Sequence, residues 1–191
     1  MRCIFDPMVL PDLQIDHGIR SADPQLQAAM LLADVCIAPR GEALDHAIEQ
    51  ACTDYCDRET PDSIKTWPSI RDARAVYKAL GKDPSRYRPS AEALLRRVLS
   101  GKPLYRINNA VDALNLVSLE SGYSIGGYDA DRIDGAVMLR RGGTEPYEAI
   151  GRGALNLEGL PVLYDAQGPF GSPTSDSTRT MVREDTRRFL W

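Results

Sequence analysis

The sequence predicts an α+β domain with a mixed or antiparallel sheet and flanking helices. Three observations carry that expectation. Apolar residues recur at helical spacing between Glu42 and Gly122, short β-like runs follow from Ala136 onward, and glycine-containing turns separate those runs. Helices followed by strands is the order of an α+β arrangement rather than of alternating βαβ units.

The elements follow in order. "AAMLLADVCIA" (Ala28 to Ala38) is apolar with β-branched residues near its end, and is expected as a buried strand. Leu44, Ala47, Ile48, Ala51 and Tyr55 give a helix over Glu42 to Glu59. A polar connector with two prolines leads to a second helix over Ser69 to Gly81, where Ser69 and Asp72 fit a capping box and Gly81 supplies the stop. Ser90 is placed to cap a third, with Leu94, Leu95, Val98 and Leu99 as its apolar stripe and Gly101 at its end. The fourth is expected to start near Asn109, with Asp112 as box partner, and to stop at Gly122. Strands are expected at Ala136 to Arg140, Leu160 to Asp165 and Thr178 to Glu184.

A chain of 191 residues with 43% hydrophobic content is read as one domain with an ordinary buried core. No apolar run reaches the ~20 residues that cross a bilayer, so no membrane contact is expected. Residues 1–20 carry Asp6, Asp12 and Asp16 without a long apolar stretch, which is not the pattern of a secretory leader. The cysteines Cys3, Cys36, Cys52 and Cys56 lie in the first third without Cys-x-x-Cys spacing. Cys52 and Cys56 share a helix face, but no second ligand pair exists to complete a zinc site. Reduced thiols in a cytoplasmic protein, with no metal and no cofactor, are expected.

The net charge of −4 conceals an asymmetry. Residues 71–106 hold ten Lys/Arg against three Asp/Glu, while residues 1–70 hold five against twelve. Clustered cations in an acidic chain point to a polyanion-facing surface, with Arg86, Arg88, Arg96, Arg97 and Lys102 as its phosphate contacts. Tyr77, Tyr87 and Tyr105 are interleaved and suited to stacking on bases. The alternative is solvated helix faces with the tyrosines in the core.

Several motifs fail their own mechanisms. Gly122-Tyr123-Ser124-Ile125-Gly126 matches a nucleophile elbow, but a helix precedes it and the only histidines, His17 and His46, lie upstream. "DADRIDG" (Asp129 to Gly135) has Asp134 where a calcium loop needs glycine, and Arg140 where it needs glutamate. "GRGALN" (Gly151 to Asn156) lacks the third glycine of a dinucleotide turn. Two polar elements remain. Asn108, Asp112 and Asn115 fall on one narrow helical face, either as caps and internal bonds or as the edge of a cleft. "GPFGSPTSDSTRT" (Gly168 to Thr180) gathers hydroxyls, glycines and Asp176 before an expected strand, either as a plain turn or as a loop that holds an oxyanion or a water.

The segments "VYKALGKDPSRYRPSAEALLRR", "INNAVDALNLVSLESGYSIGGYD" and "GSPTSDSTRT" resemble the B3/B4 domain of the phenylalanyl-tRNA synthetase β subunit, in free-standing form, over roughly residues 70–182. Asn109, Val111, Asp112, Asn115, Leu119, Glu120, Gly122, Tyr128 and Asp129 carry the pattern. The resemblance implies editing, the hydrolysis of a wrong amino acid from tRNA. It departs at Gly126, where synthetase domains commonly carry a histidine, so the synthetase's amino-acid specificity is not carried over.

The expectation is therefore a trans-editing deacylase that receives the aminoacyl end of tRNA. Ser175, Asp176 and Ser177 would hold the water and the α-ammonium group. Asn109, Asp112, Asn115, Gly126 and Gly127 would shape the pocket. An ester already activated for hydrolysis needs mainly a positioned water and a stabilised oxyanion. The rival readings are a non-catalytic tRNA-, RNA- or small-ligand-binding domain, and a partner-binding protein whose basic block meets an acidic surface.

Overall fold

A computed structural model describes residues 9–191; Cys3 and Asp6 lie outside the described residues. β1 (Leu13–Ile15) leads into α1 (His17–Ala22), whose N-cap Asp16 accepts the Ile19 N–H, and β2 (Leu32–Asp34) follows. The helical half comprises α2 (Glu42–Arg58), α3 (Pro68–Ala79), α4 (Ser90–Leu99) and α5 (Asn109–Ser121). Beyond it come β3 (Tyr128–Asp129), β4 (Val137–Arg141), β5 (Glu148–Ala149), β6 (Gly153–Ala154), β7 (Pro161–Asp165), β8 (Gly168–Gly171) and β9 (Arg188–Leu190). The protein is α+β.

One sheet runs β1-β4-β7-β8, with β1 parallel to β4 and the other pairs antiparallel; a second runs β2-β9-β3, antiparallel throughout; β5 and β6 form a hairpin. Alternation decides the faces of β4, where Val137 and Leu139 point inward while Met138 faces out. Ile48, Leu95, Val98 and Leu119 lock α2, α4 and α5 into one helical core. Tyr77 of α3 packs on Leu157, Leu160 and Val162, joining the helices to the sheet. Burial of each such side chain contributes about 1.5–3 kcal/mol. No helix among the described residues is long and apolar enough to cross a membrane.

Helix stops fall at the glycines. Gly101 (φ 74°) and Gly122 (φ 71°) adopt the left-handed conformation that L side chains avoid. At Gly122 a Cβ would also sit 2.4 Å from Ser69 Oγ, so the same residue ends α5 and admits the start of α3.

The capping expectations need correction. Ser69 Oγ donates to Ser121 O, leaving Trp67 as a cap of α3 without a side-chain bond, and Asp72 pairs with Arg71. Ser90 does not cap α4 but opens it, its N–H donating to Pro173 O. In α5 the cap is Asn108, one residue before the expected position, accepting from Val111 N–H at 2.9 Å.

Two strand expectations fail as well. The expected strand at 28–38 shrinks to β2, a half-buried edge strand. Thr178–Thr180 is a 3₁₀ turn, because Ser177 Oγ accepts the Arg179 N–H and winds the chain there.

Candidate active site

The segment after β8 doubles back through a turn closed by Ser172, whose hydroxyl donates to Ser175 O and accepts from the Thr174 and Ser175 N–H groups. Neighbours fasten the turn on both sides. Ser90 N–H donates to Pro173 O at 2.7 Å, and Thr174 Oγ1 donates to Tyr87 O at 3.1 Å, which leaves Tyr77 as donor in its 2.8 Å bond to Thr174. From the hairpin side, Tyr147 donates to Ser175 O, Ser175 Oγ donates to Ile150 O, and Ile150 N–H donates to Asp176 O at 2.9 Å. A bridge between Ala149 and Ser177 completes the clamp. Backbone and hydroxyl bonds thus fix the backbone at Asp176 from both sides.

The Asp176 carboxyl meets no cation in ion-pair contact among the described residues; its partners are neutral donors. Tyr128 Oη donates to Oδ1 at 2.8 Å, and Tyr128 is itself buried edge-on against Phe170, ring centroids 5.0 Å apart. The phenol fits only because two glycines give way. A Cβ on Gly126 would lie 2.0 Å from Tyr128 Oη, and one on Gly171 would lie 2.2 Å from it. The Gly126 site is also 3.0 Å from Asp176 Oδ1, while a Cβ on Gly127 would strike Phe189 at 2.8 Å. Gly126 therefore has no room for a side chain while Tyr128 holds Asp176.

Burial pushes the Asp176 carboxyl up to about 7, against the hydrogen bond from Tyr128 and the N–H groups of Ser172 and Gly127, which favour the charged form. Burial and the Asp176 charge push the phenols of Tyr128 and Tyr147 upward. Asp176 keeps part of its surface in contact with solvent. A carboxyl that ionises near neutrality is suited to take up and return a proton.

The residues expected on α5 divide. Asn109 Nδ2 donates to Cys36 O, and its Oδ1 accepts from Ala38 N–H at 3.0 Å, stapling that segment to the helix start. Asp112 is fully buried and accepts the Ile107 N–H at 3.0 and 3.2 Å, with the Arg40 guanidinium 3.5 Å away. Both side chains fasten the residues that precede α5. Asn115 is half-buried, and its amide makes no side-chain hydrogen bond among the described residues. The adjacent Leu114 Cδ1 lies 3.7 Å from where a Cβ of Gly127 would be, so the middle of α5 abuts the glycine pair. The structure brings together Gly126, Gly127, Asp176 and its flanking serines. Ser177 is buried with its hydroxyl in the turn, and Ser124 only accepts a 3.3 Å bond from Ala91 N–H.

The basic block is largely paired. Glu92, 1% exposed, gathers Arg74 at 2.8 Å, Arg96 at 2.9 Å and Arg88 at 3.8 Å. Arg106 binds Asp45 through two bonds, and Lys82 is buried on the carbonyls of Asn156 and Glu158. Arg97 donates to Pro103 O and lies over the exposed Tyr105 ring at 4.0 Å. Arg86 and Lys102 are exposed without an ion pair among the described residues. Of the three tyrosines, Tyr77 is a core residue. A separate cavity of about 460 Å³ lies beside the turn, with Tyr147, Ser177, Arg179 and Arg183 among its walls; of the expected site residues only Ser177 lines it.

Sequence reasoning missed Tyr128, Tyr147 and Ser172 as site residues. The signal was the glycines on either side, Gly126 and Gly171, which mark close approach of a neighbour. None of the curated proteins matches the chain. A family model for the B3/4 domain matches residues 72–191, which runs from within α3 through β9 and takes in every member of the Asp176 cluster. The chain belongs to the B3/4 domain family.

Proposed function

We propose that this protein hydrolyses the ester linking an amino acid to the end of a transfer RNA, with Asp176 as the base that positions and deprotonates the attacking water. The observation that most supports this is the carboxyl of Asp176, pushed up to about 7 by burial and bonded by Tyr128 beside Gly126. Family membership points the same way, because the resemblance is to an editing domain. In the proposed step Asp176 takes a proton as the water oxygen bonds to the ester carbon. The carbon–ribose oxygen bond then breaks, and the ribose oxygen recovers the proton. Free amino acid and uncharged RNA leave. General-base assistance of this kind contributes about 10²–10⁴-fold, a fitting scale for an ester already activated.

Ser175 and Ser177 hold the turn that carries the base through bonds to Ile150 O and Arg179 N–H. The test is a panel of correctly and wrongly charged aminoacyl-tRNAs incubated with the protein, following release of amino acid. Release by the wild type that disappears in Asp176→Ala supports the reading. Undiminished release in the variant rejects Asp176 as the base, and binding without release leaves an RNA-binding domain without this chemistry.

A further inference from the structure

Two exposed cations sit on segments bonded to the Asp176 turn, and only one of them, Arg86, belongs to the charge block. Arg152 lies outside residues 71–106, in the bend between β5 and β6, where Gly151 (φ 68°) and Gly153 (φ 71°) shape the tip. Two residues earlier, Ile150 is bonded to the backbone of Asp176 and to the Ser175 hydroxyl. The hairpin tip is therefore tied directly to the turn that carries the carboxyl. Arg152 is exposed and makes no ion pair among the described residues. The Ile150 bonds set the bend that carries Arg152 against the hairpin side of the turn.

Arg86 approaches the same turn from the helical side. It is exposed, free of ion pairs among the described residues, and lies over the Tyr87 ring, centroid 5.4 Å from the guanidinium carbon. The Tyr87 carbonyl is the acceptor for Thr174. Arg88 and Arg96, by contrast, lie on the buried carboxylate of Glu92, and Arg96 also donates to Pro61 O. Acidic groups accompany the lip: Asp83 before Arg86, and Glu148 on the hairpin. Asp83 is engaged by the Ser85 N–H.

Resting on the proposed function, we infer that Arg152 and Arg86 form a two-sided lip that grips the terminal phosphates of the RNA whose charged end reaches Asp176. The last phosphates of an aminoacylated strand lie within a nucleotide or two of the ester. The cations that serve them must therefore flank the reacting group, and these two sit on segments bonded to opposite sides of its turn. Guanidinium groups suit this role because their planar donors match phosphate oxygens and stay charged at any working pH. The lip differs from a diffuse basic patch in prediction as well as in position. It makes the 148–154 hairpin part of the binding surface, and it assigns Arg88 and Arg96 to holding the fold.

The test measures binding of bulk tRNA, charged and uncharged, to the wild type and to Arg152→Glu, Arg86→Glu and Arg58→Glu at several salt concentrations. Arg58, at the C-terminal end of α2, matches the charge change away from the lip. Arg152→Glu and Arg86→Glu should each weaken binding by about tenfold and flatten the dependence of log K on log salt by about one unit or more. Arg58→Glu should bind as the wild type does. In the deacylation assay the lip variants should raise KM while leaving kcat nearly unchanged. Wild-type affinity and salt slope in Arg152→Glu would overturn the lip while leaving the proposed hydrolysis standing. Absence of any tRNA binding by the wild type, even at low salt, would remove both. Equal losses in all three variants would also overturn the lip, since they would reflect net charge alone.

Discussion

Asp112 and Asp176 are two carboxyls that burial pushes upward, and the chain treats them in opposite ways. Asp112 sits at the first turn of α5 with the Arg40 guanidinium beside it and the Ile107 N–H bonded to both its oxygens. Arg40 in turn shares Asp45 with Arg106, so the charge is absorbed by a network that ties residues 36–45 to residues 105–112. Among the described residues Asp176 has only neutral donors: a phenol and backbone N–H groups. Desolvation is common to both; a nearby cation is not. A buried carboxylate with a cation beside it is a fastening, whereas one with neutral partners can exchange its proton near neutrality.

The largest effect that sharpens the contrast is expected from Asp176→Asn, which keeps an oxygen for Tyr128 but cannot act as a base. Deacylation should fall by about 100-fold or more, measured as initial rates on a charged tRNA. Asp112→Ala should do the reverse. It strands the Ile107 N–H while Arg40 keeps Asp45, so stability should drop by about 1–3 kcal/mol in denaturant unfolding while the rate per folded molecule is kept. Loss of activity in excess of loss of fold would break the comparison.

Gly126→Ala comes next. Its methyl would displace the Tyr128 hydroxyl, at a cost of about 1–3 kcal/mol, and activity should fall with it as Asp176 loses its donor. Wild-type stability and rate would mean that Tyr128 does not occupy the space assigned to it.

The smallest effects are in pH dependence. The folded state holds the Asp176 proton more tightly than the unfolded chain, where the carboxyl ionises in the usual range. The associated stability is fully present below that range and is lost as pH rises through about 7. Asp176→Asn should lack this decline, as thermal unfolding across the interval will reveal. Tyr128→Phe removes a donor that favours the charged form, and should move the midpoint of the pH–rate profile upward.

The helices were legible because their signals are local. Apolar spacing placed α2 to α5, and glycines with positive φ ended α4 and α5 where the sequence put them. Caps were less legible, because a hydroxyl chooses among distant partners: Ser69 prefers the carbonyl of Ser121 to its own helix. β4 and β7 carry alternation long enough to be read, whereas β1, β8 and β9 depend on pairing with strands remote in the chain. Thr178–Glu184 misled because β-branched residues favour strands, while a single bond to Ser177 Oγ set the turn. Asp176 was legible from the hydroxyl-rich loop around it, and Gly126 and Gly127 entered as pocket residues with the resemblance. Tyr128 was read only as part of the family pattern, since its role in the site arises where Gly126 and Gly171 meet it in space.

Asp176 as a base that titrates near neutrality is tested most directly by the pH dependence of deacylation in the wild type beside Asp176→Asn. The wild-type rate should rise with pH through a midpoint near 7 and then level off, with that rise missing from the variant. A variant that keeps both the wild-type rate and its midpoint would contradict the assignment.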